Sequence, residues 1–273
     1  MADAGGRRGG GRGSGAAGPA PLVRVERRGP VTHLVLDSPH NRNALSMRLL
    51  DQLAAALADI AGDRSVRVVV LTGAGPVFCS GADLHERLEH PEASAQSVFP
   101  DVLERIIRLA QPVVARVNGH VRAGGLGLVA ACDLAVAPAS ASFAFSEVRV
   151  GVAPALIAVP ALRVMSRRAF ARYALTGETF SAHEARAAGL LTTTVDDAEL
   201  DAWVDEVTDS FLRSSPGAID ATKRLFEVVW EQDGAQAMAT AGELSAEAFA
   251  GADAAEGINA FLQKRPPSWV IGR

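Results

Sequence analysis

The chain has 273 residues, enough for one large α/β domain or two smaller ones. Its 48% apolar content allows a sizeable core, yet no apolar run reaches the roughly 18 residues that a membrane-spanning helix needs. The formal net charge of −4 argues against nucleic acid as the main partner.

Cysteine and histidine usage is sparse. Cys79 and Cys132 are too few for a disulfide scaffold or a four-cysteine zinc site, and we interpret them as core or strand-end thiols. The six histidines show no pair at short metal-ligand spacing, so no metal is expected. No charged segment precedes an apolar one as in a secretory signal. A reducing cytoplasm is the simplest predicted compartment.

The first 21 residues are rich in Gly, Ala and Arg and have no apolar periodicity, which predicts a disordered tail. An organellar transit peptide would also be Arg-rich, but it should be amphipathic, and this run is not. The organisation we predict is a tail at 1–21, an α/β core at 22–200 and a helical region at 201–273.

The first predicted elements alternate between strand and helix. The segment VTHLVLD (31–37) alternates in polarity and is rich in branched residues, as a strand should be. The segment 45–63 places apolar residues at helical spacing and ends at Gly62. The segment VRVVVLTG (66–73) is nearly all apolar, which is typical of a strand buried on both faces.

The pattern continues toward the middle of the chain. PVVARVNG (112–119) and DLAVAP (133–138) predict two more strands with a short helix between them, and 141–145 is a further extended piece. From about residue 155 the sequence is mostly helical. This order predicts an α/β fold with helices appended at the C-terminus.

Glycines open the predicted short helix in AGGLGLVA (123–130). Gly125, Gly127 and Ala130 fit the fingerprint of a dinucleotide-binding turn, and Glu147 lies about 20 residues further on. That turn must follow a strand directly, whereas the predicted strand ends near Val117. We therefore do not favour a nicotinamide site.

Such glycines have another use, because they let backbone N–H groups converge on a developing negative charge. An oxyanion hole usually needs two donors, and VFCSGADLHE (77–86) offers a second junction of this kind. There Gly81 allows a turn, the N–H of Ala82 lies at a helix start, and Asp83 can cap that helix. Two ordinary glycine turns remain the alternative on these features alone.

Six further segments follow one another along the chain: SPHNRNALS (38–46), VVLTGAGPVFCSGADL (69–84), PVVARVNGHVRAGGLGLVAACDLAVA (112–137), FAFSEVRVGVAP (143–154), ALTGETFSAHEARAAGLL (174–191) and FLQKRPPSW (261–269). In this order they resemble the crotonase (enoyl-CoA hydratase/isomerase) superfamily. The similarity runs from about residue 22 to the C-terminus, and SEVRVGVAPALI with GLGLVAACD is most similar to the branch that contains methylglutaconyl-CoA hydratases.

The resemblance implies an α/β fold built as a spiral of ββα turns, with C-terminal helices that assemble trimers, often paired into hexamers. It implies an acyl thioester of coenzyme A as substrate, with no metal or redox cofactor. The N–H groups of Ala82 and Gly124 would bind the thioester oxygen, and Glu147 would be the acid/base. The same comparison assigns coenzyme or substrate contacts to Asn41, Arg42, Ala44, Ser80, Gly81, Asp83, Leu84, Gly125, Phe261 and Lys264, the last two toward a neighbouring subunit.

The sequence departs from the family pattern at Gly127, where typical hydratases carry a first catalytic glutamate. Glu147 could act alone; another group could replace the glutamate; or the protein could bind acyl-CoA with little activity. The candidate replacements are His120, Asp83, His85 and Glu86. We favour a hydratase-type lyase that uses Glu147 alone, with a double-bond isomerase as the alternative.

Two sets of arginines call for an interpretation. Arg122 occupies a loop position that is generally apolar in the family, and one hypothesis is that it binds a distal carboxylate on the acyl chain; solvent or a subunit interface is the alternative. Arg163, Arg167, Arg168 and Arg172 are predicted to share one helix. They favour a solvated or phosphate-facing surface over an RNA site, because few aromatic residues lie between them.

Overall fold

The computed structural model describes residues 20–90 and 98–270, so nearly all of the predicted tail lies outside the described residues. The strands are β1 (Val23–Arg28), β2 (Val31–Leu36), β3 (Val68–Gly73), β4 (Val77–Cys79), β5 (Val113–Arg116), β6 (His120–Arg122), β7 (Leu134–Pro138), β8 (Ser142–Ala144), β9 (Phe180–Ser181) and β10 (Thr193–Val195). They form a six-stranded sheet in the order β1-β2-β3-β5-β7-β10 and a four-stranded sheet in the order β4-β6-β8-β9.

Helices alternate with the strands in the first part of the chain, and the described part after β10 is mainly helical. They are α1 (Met47–Gly62), α2 (Leu84–Glu89), α3 (Phe99–Arg108), α4 (Gly124–Ala131), α5 (Ala155–Val164), α6 (Arg167–Thr176), α7 (Ala182–Ala188), α8 (Leu200–Leu212), α9 (Pro216–Glu231), α10 (Gly234–Ala250) and α11 (Ala252–Leu262). Short 3-10 helices span Pro39–Asn41, Ser146–Val150 and Asp197–Glu199. No helix in the described ranges is long and apolar enough to cross a membrane.

The chain repeats one pattern as it moves between the two sheets. β3, β5 and β7 pair in parallel in the large sheet, and each is followed by a short strand of the small sheet, β4, β6 or β8. A helix then leads back to the large sheet after β4 and after β6. This arrangement confirms the predicted spiral of ββα turns.

The position of strand β3 between two apolar clusters explains why its sequence is almost entirely apolar. Val69 and Leu71 belong to the main core cluster, whereas Val68 and Val70 belong to a second cluster on the opposite face of the sheet. Leu200, Val204 and Leu212 of α8 complete that second cluster. The first helix of the predicted C-terminal region therefore covers one face of the large sheet.

Three predictions about local structure need correction or confirmation. The sequence predicted that the strand before α4 ends near Val117, whereas a further strand, β6, ends at Arg122, just before α4 begins. That prediction was wrong because three residues are too few to show a strand pattern. The four arginines do not share one helix, because α5 ends at Val164 and Ser166 caps α6. Both cysteines are buried, as predicted, and burial raises the pKa of the Cys79 thiol to about 12.

One buried ion pair joins the C-terminal helices to the sheet. Lys223 of α9 lies 2.7 Å from a carboxylate oxygen of Asp133 and donates to the carbonyl of Gln111 at 3.1 Å. The same Asp133 oxygen accepts from the N–H of Val113 at the start of β5. The pair therefore holds α9 at the point where β5 and β7 begin.

Lys223→Met is expected to lower the free energy of unfolding by about 3–5 kcal/mol, because it leaves the Asp133 carboxylate buried without its cation. Urea denaturation measures this loss. Arg108→Met, at the exposed Arg108–Glu104 pair, is the matched control and is expected to cost less than about 1 kcal/mol. Equal, small losses for both variants would contradict the structural role of the buried pair.

Candidate active site

A cavity of about 560 Å³ lies where the two glycine-containing turns meet. Its walls come from the start of α1, the turn before α2, the starts of α3 and α4, and the chain from the 3-10 helix at Ser146–Val150 into α5. The lining residues are Leu45, Leu50, Ser80, Ala82, Leu84, Arg87, Phe99, Ala123, Gly124, Ser146, Glu147, Val150, Val152, Ala153, Pro154, Ala155, Leu156 and Ile157. Most of this surface is apolar, which suits an acyl chain.

The two turns touch at Gly81. Its φ of +90° lies in the region that favours glycine, and a Cβ there would stand 2.7 Å from the Cβ of Ala123 and 3.5 Å from the nitrogen of Gly124. Ala123 also has a positive φ, 46°, which is strained for a residue with a side chain. The glycine thus allows the turn before α2 and the turn before α4 to approach within contact distance.

This approach places two unpaired backbone donors beside one another. Within the described residues, neither the N–H of Ala82 nor that of Gly124 has an acceptor. Gly124 is the first residue of α4, so its N–H has no partner within the helix and lies at the positive end of the helix dipole. Both residues line the cavity, so the two donors are available to an oxygen bound there.

Glu147 brings a carboxyl group to the same cavity. It lies in the 3-10 helix that follows β8 and the buried Phe145, and it is half-buried. Its Oε2 is buried and has no hydrogen-bond partner in the described residues. Burial raises the pKa of Glu147, because desolvation disfavours the charged form. A carboxyl group that has one buried oxygen without a partner and a raised pKa is suited to proton transfer.

Ile157 occupies the space that a side chain at position 127 would need. A Cβ at Gly127 would lie 2.5 Å from Cγ2 and 3.0 Å from Cβ of Ile157, which projects from α5. The glycine is therefore required by the packing of α4 against α5. Ile157 itself lines the cavity, so an apolar side chain stands beside the position where the resemblance implies a first glutamate.

The candidate replacements for that glutamate are engaged elsewhere. Asp83 caps α2 by accepting from the N–H groups of His85 and Glu86, and its other oxygen accepts from Asn41 at 3.2 Å. Glu86 accepts from the N–H of Met47 at 2.8 Å, and His120 faces the Ser142 hydroxyl. None of these side chains, nor that of His85, lines the cavity. Glu147 is thus the one carboxylate in its lining within the described residues.

The segments predicted to hold coenzyme A lie side by side. The N–H of Ser80 donates to the carbonyl of Arg42, and its hydroxyl donates to the carbonyl of Asn41. Ser80 and Leu84 line the cavity, whereas Ala44, Gly81 and Gly125 are buried behind it. These contacts place the predicted coenzyme segments next to the cavity, and their role in binding stays a prediction.

Three other predicted residues lie away from the cavity. Phe261 and Lys264, at the end of α11, are exposed and do not line it, so their contact with a neighbouring subunit's coenzyme stays a prediction. Arg122 donates to the carbonyls of Val121 and Ser142 and to the Ser142 hydroxyl. The guanidinium of Arg122 therefore ties β6 to β8 and does not line the cavity, so the structure gives no support to the hypothesis that it binds a substrate carboxylate.

Sequence reasoning missed several residues of the cavity wall. It did not name Phe99 or Ile157, which line the cavity. It did not single out Arg87, nor the stretch Val150–Pro154 that completes the mouth. Helical spacing gives one signal for Arg87, because it follows Leu84 by three residues and so shares its face of α2.

The fold and the site geometry agree with the comparisons to known proteins. The family description Enoyl-CoA hydratase/isomerase matches residues 26–271, and the chain belongs to this family of crotonase-fold proteins. It is 34% identical over 253 residues to the enoyl-CoA hydratase domain-containing protein 3, mitochondrial, of Danio rerio, covering 91% of this chain and 87% of the relative. It is 32% identical over 247 residues to the 2,3-dehydroadipyl-CoA hydratase of Escherichia coli, covering 90% and 97%.

Solved structures agree equally well. An enoyl-CoA hydratase from Mycobacterium smegmatis superimposes with a TM-score of 0.86 at 37% identity, covering 92% of this chain and all (100%) of that one. The human enoyl coenzyme A hydratase domain-containing protein 3 gives a TM-score of 0.85 at 32% identity, covering 91% and 100%.

Gly127→Ala is expected to destabilise the protein by about 1–3 kcal/mol, because the added methyl group overlaps Ile157. Thermal and urea unfolding measure the change. Gly242→Ala in α10 is the matched control: its Cβ meets nothing within 4 Å, and alanine favours a helix, so this variant should be neutral or slightly stabilised. The account of Gly127 would be wrong if both variants behaved like the control.

Proposed function

We propose that this protein is an enoyl-CoA hydratase that adds water across the double bond of a 2-enoyl-CoA with Glu147 as its one catalytic carboxylate. The observation that carries the proposal is the meeting of three groups in one cavity: two backbone N–H donors without acceptors and a carboxyl group whose Oε2 has no hydrogen-bond partner, all within the described residues. The names of the relatives support hydration as the reaction class.

The two N–H groups of Ala82 and Gly124 would hold the thioester oxygen of the substrate. Addition of water oxygen to C3 moves the electrons of the double bond toward that oxygen and forms an enolate. Two donors that are already in place stabilise this charge without reorganisation, and the loss of one such donor costs about 3–4 kcal/mol in comparable sites. The Gly81 contact is what keeps the donors together.

Glu147 would carry both proton steps. Its carboxylate takes a proton from water as the C3–O bond forms, and the resulting carboxylic acid gives that proton to C2 of the enolate. The overall change is the addition of one water molecule, and Glu147 returns to its starting form. A carboxyl group whose pKa is raised is better suited to accept a proton and then release it than an ordinary glutamate.

A double-bond isomerase is the second candidate, because the same three groups would serve it. Glu147 would remove a proton from C2 of a 3-enoyl-CoA and return it to C4, again through an enolate held by the two N–H groups. The apolar Ile157 beside Gly127 favours this alternative, since Glu147 is then the one carboxylate in the described lining. A weakly active acyl-CoA-binding protein is the non-catalytic alternative.

We further propose a reaction without metal or redox cofactor, in a cytoplasmic homotrimer or homohexamer. Within the described residues no group of three potential metal ligands occurs. Exposed large apolar side chains on the C-terminal helices, including Phe226, Val229, Met238 and Phe249, support burial against further copies of the chain.

Glu147→Gln is expected to lower kcat by about 10²–10⁴-fold with little change in KM, because the amide binds in place of the acid but cannot transfer a proton. Turnover of crotonyl-CoA and of a 3-enoyl-CoA by the wild type identifies the better reaction. Glu86→Gln is the matched control, since Glu86 lies outside the cavity, and it should retain activity. Equal losses in both glutamine variants would contradict the assignment.

The pH dependence provides a further readout of the same group. Because Glu147 must be ionised to accept a proton from water, wild-type kcat should rise with pH through a pKa above the ordinary 4.5. The raised pKa also means that folding favours the protonated form, so stability contributed by this group falls as pH rises through that pKa. Glu147→Gln should therefore be at least as stable as the wild type at neutral pH.

A further inference from the structure

Arg87 is a cation in the cavity wall that the hydration chemistry does not use. It lies on α2, three residues after Leu84, and both side chains line the cavity. Arg87 is half-buried, and its neighbours in the lining are mainly apolar, among them Phe99. Within the described residues its guanidinium has no hydrogen-bond or ion-pair partner.

Two acidic residues close to Arg87 in the sequence make contacts with other segments. Asp83, four residues earlier, uses both oxygens for the cap of α2 and for Asn41. Glu86 accepts from the N–H of Met47 at the start of α1. Neither carboxylate pairs with Arg87 in the described residues.

Arginines on the neighbouring helix behave differently. Arg105 pairs with Asp101, and Arg108 pairs with Glu104, each four residues earlier on α3. An arginine that lines a largely apolar wall and has no partner there can form a charge-assisted pair with an anion that enters the cavity.

Arg87 and Glu147 are the two ionisable side chains of the described cavity lining, and they come from different elements, α2 and the 3-10 helix at Ser146–Val150. No ion pair joins them in the part of the chain that the structure describes, and the Oε2 of Glu147 has no hydrogen-bond partner there. The two ionisable groups of the lining consequently mark separate places, one for proton transfer and one for a second anionic group.

We infer that Arg87 is a specificity residue that binds a carboxylate at the distal end of the acyl chain, so that the preferred substrates are CoA thioesters of dicarboxylic acids. This inference rests on the proposed function insofar as it takes the cavity to be the acyl site. Guanidinium and carboxylate form a planar pair with two parallel hydrogen bonds, which fixes the chain end as well as its charge. A phosphate of coenzyme A is the other anion that Arg87 could meet.

Binding of saturated thioesters tests the inference without depending on catalysis. Isothermal titration calorimetry compares adipoyl-CoA with hexanoyl-CoA, and glutaryl-CoA with valeryl-CoA, so that each pair differs in the terminal carboxylate. Free coenzyme A is the third ligand. The proteins are the wild type, Arg87→Met and the matched control Arg105→Met, whose arginine lies on α3 outside the cavity.

The wild type should bind at least one dicarboxylic thioester more tightly than its partner. Arg87→Met should weaken that binding by about 10- to 100-fold, the effect of losing a charged hydrogen-bonded pair, and change hexanoyl-CoA and valeryl-CoA by less than about 2-fold. Arg105→Met should leave all affinities unchanged. Because Arg87 has no side-chain partner to lose, the unfolding temperature of Arg87→Met should match that of the wild type.

Two results would overturn the inference. Equal weakening of all thioesters and of free coenzyme A would place Arg87 at a coenzyme phosphate. No effect of the substitution on any ligand would remove Arg87 from the site. A failure of the proposed function would give a different result. The preference for the dicarboxylic thioester would persist in the titrations, while Glu147→Gln would turn over crotonyl-CoA at the wild-type rate.

Discussion

The close approach of the turn before α2 to the turn before α4 is the constraint on which the site depends. Gly81 leaves no room for a side chain, since a Cβ would stand 2.7 Å from that of Ala123. Two backbone N–H groups are thereby held without acceptors at one end of an apolar cavity. The parallel pairings of β4 with β6 and of β6 with β8 fix the turns in the small sheet, so the donors are positioned before any ligand arrives.

The packing of α4 against α5 explains why no side chain stands at Gly127, and Glu147 is the one carboxylate in the described cavity lining. Ile157 occupies the space that a side chain at Gly127 would need, so the glycine is a packing requirement as well as a departure from the family pattern. Glu147 comes from a separate segment after β8 and is unaffected by that contact. Burial raises the pKa of Glu147. Under the proposed function, this one carboxyl group would carry the proton transfers.

Much of this was accessible from the sequence, because the strongest patterns are local. The buried strands β2 and β3, the helix α1 and the positions of Ala82, Gly124 and Glu147 follow from apolar runs, glycine placement and motif order. The rest depends on contacts between distant segments. His120–Arg122 is too short to show a strand, and the direction of Arg122 is set by Ser142 on β8. The contacts of Asp83 with Asn41 and of Glu86 with Met47 also join segments that are far apart in the sequence.

The most direct test is isotope incorporation during turnover of crotonyl-CoA in D2O enriched in ¹⁸O, followed by mass spectrometry of the CoA product. We expect the wild type to add one ¹⁸O and one carbon-bound deuterium per product molecule, the Glu86→Gln variant to do the same, and Glu147→Gln to add neither. Uptake of both labels by Glu147→Gln at close to the wild-type rate would contradict the claim that one buried carboxyl group, acting beside two backbone donors, carries the chemistry.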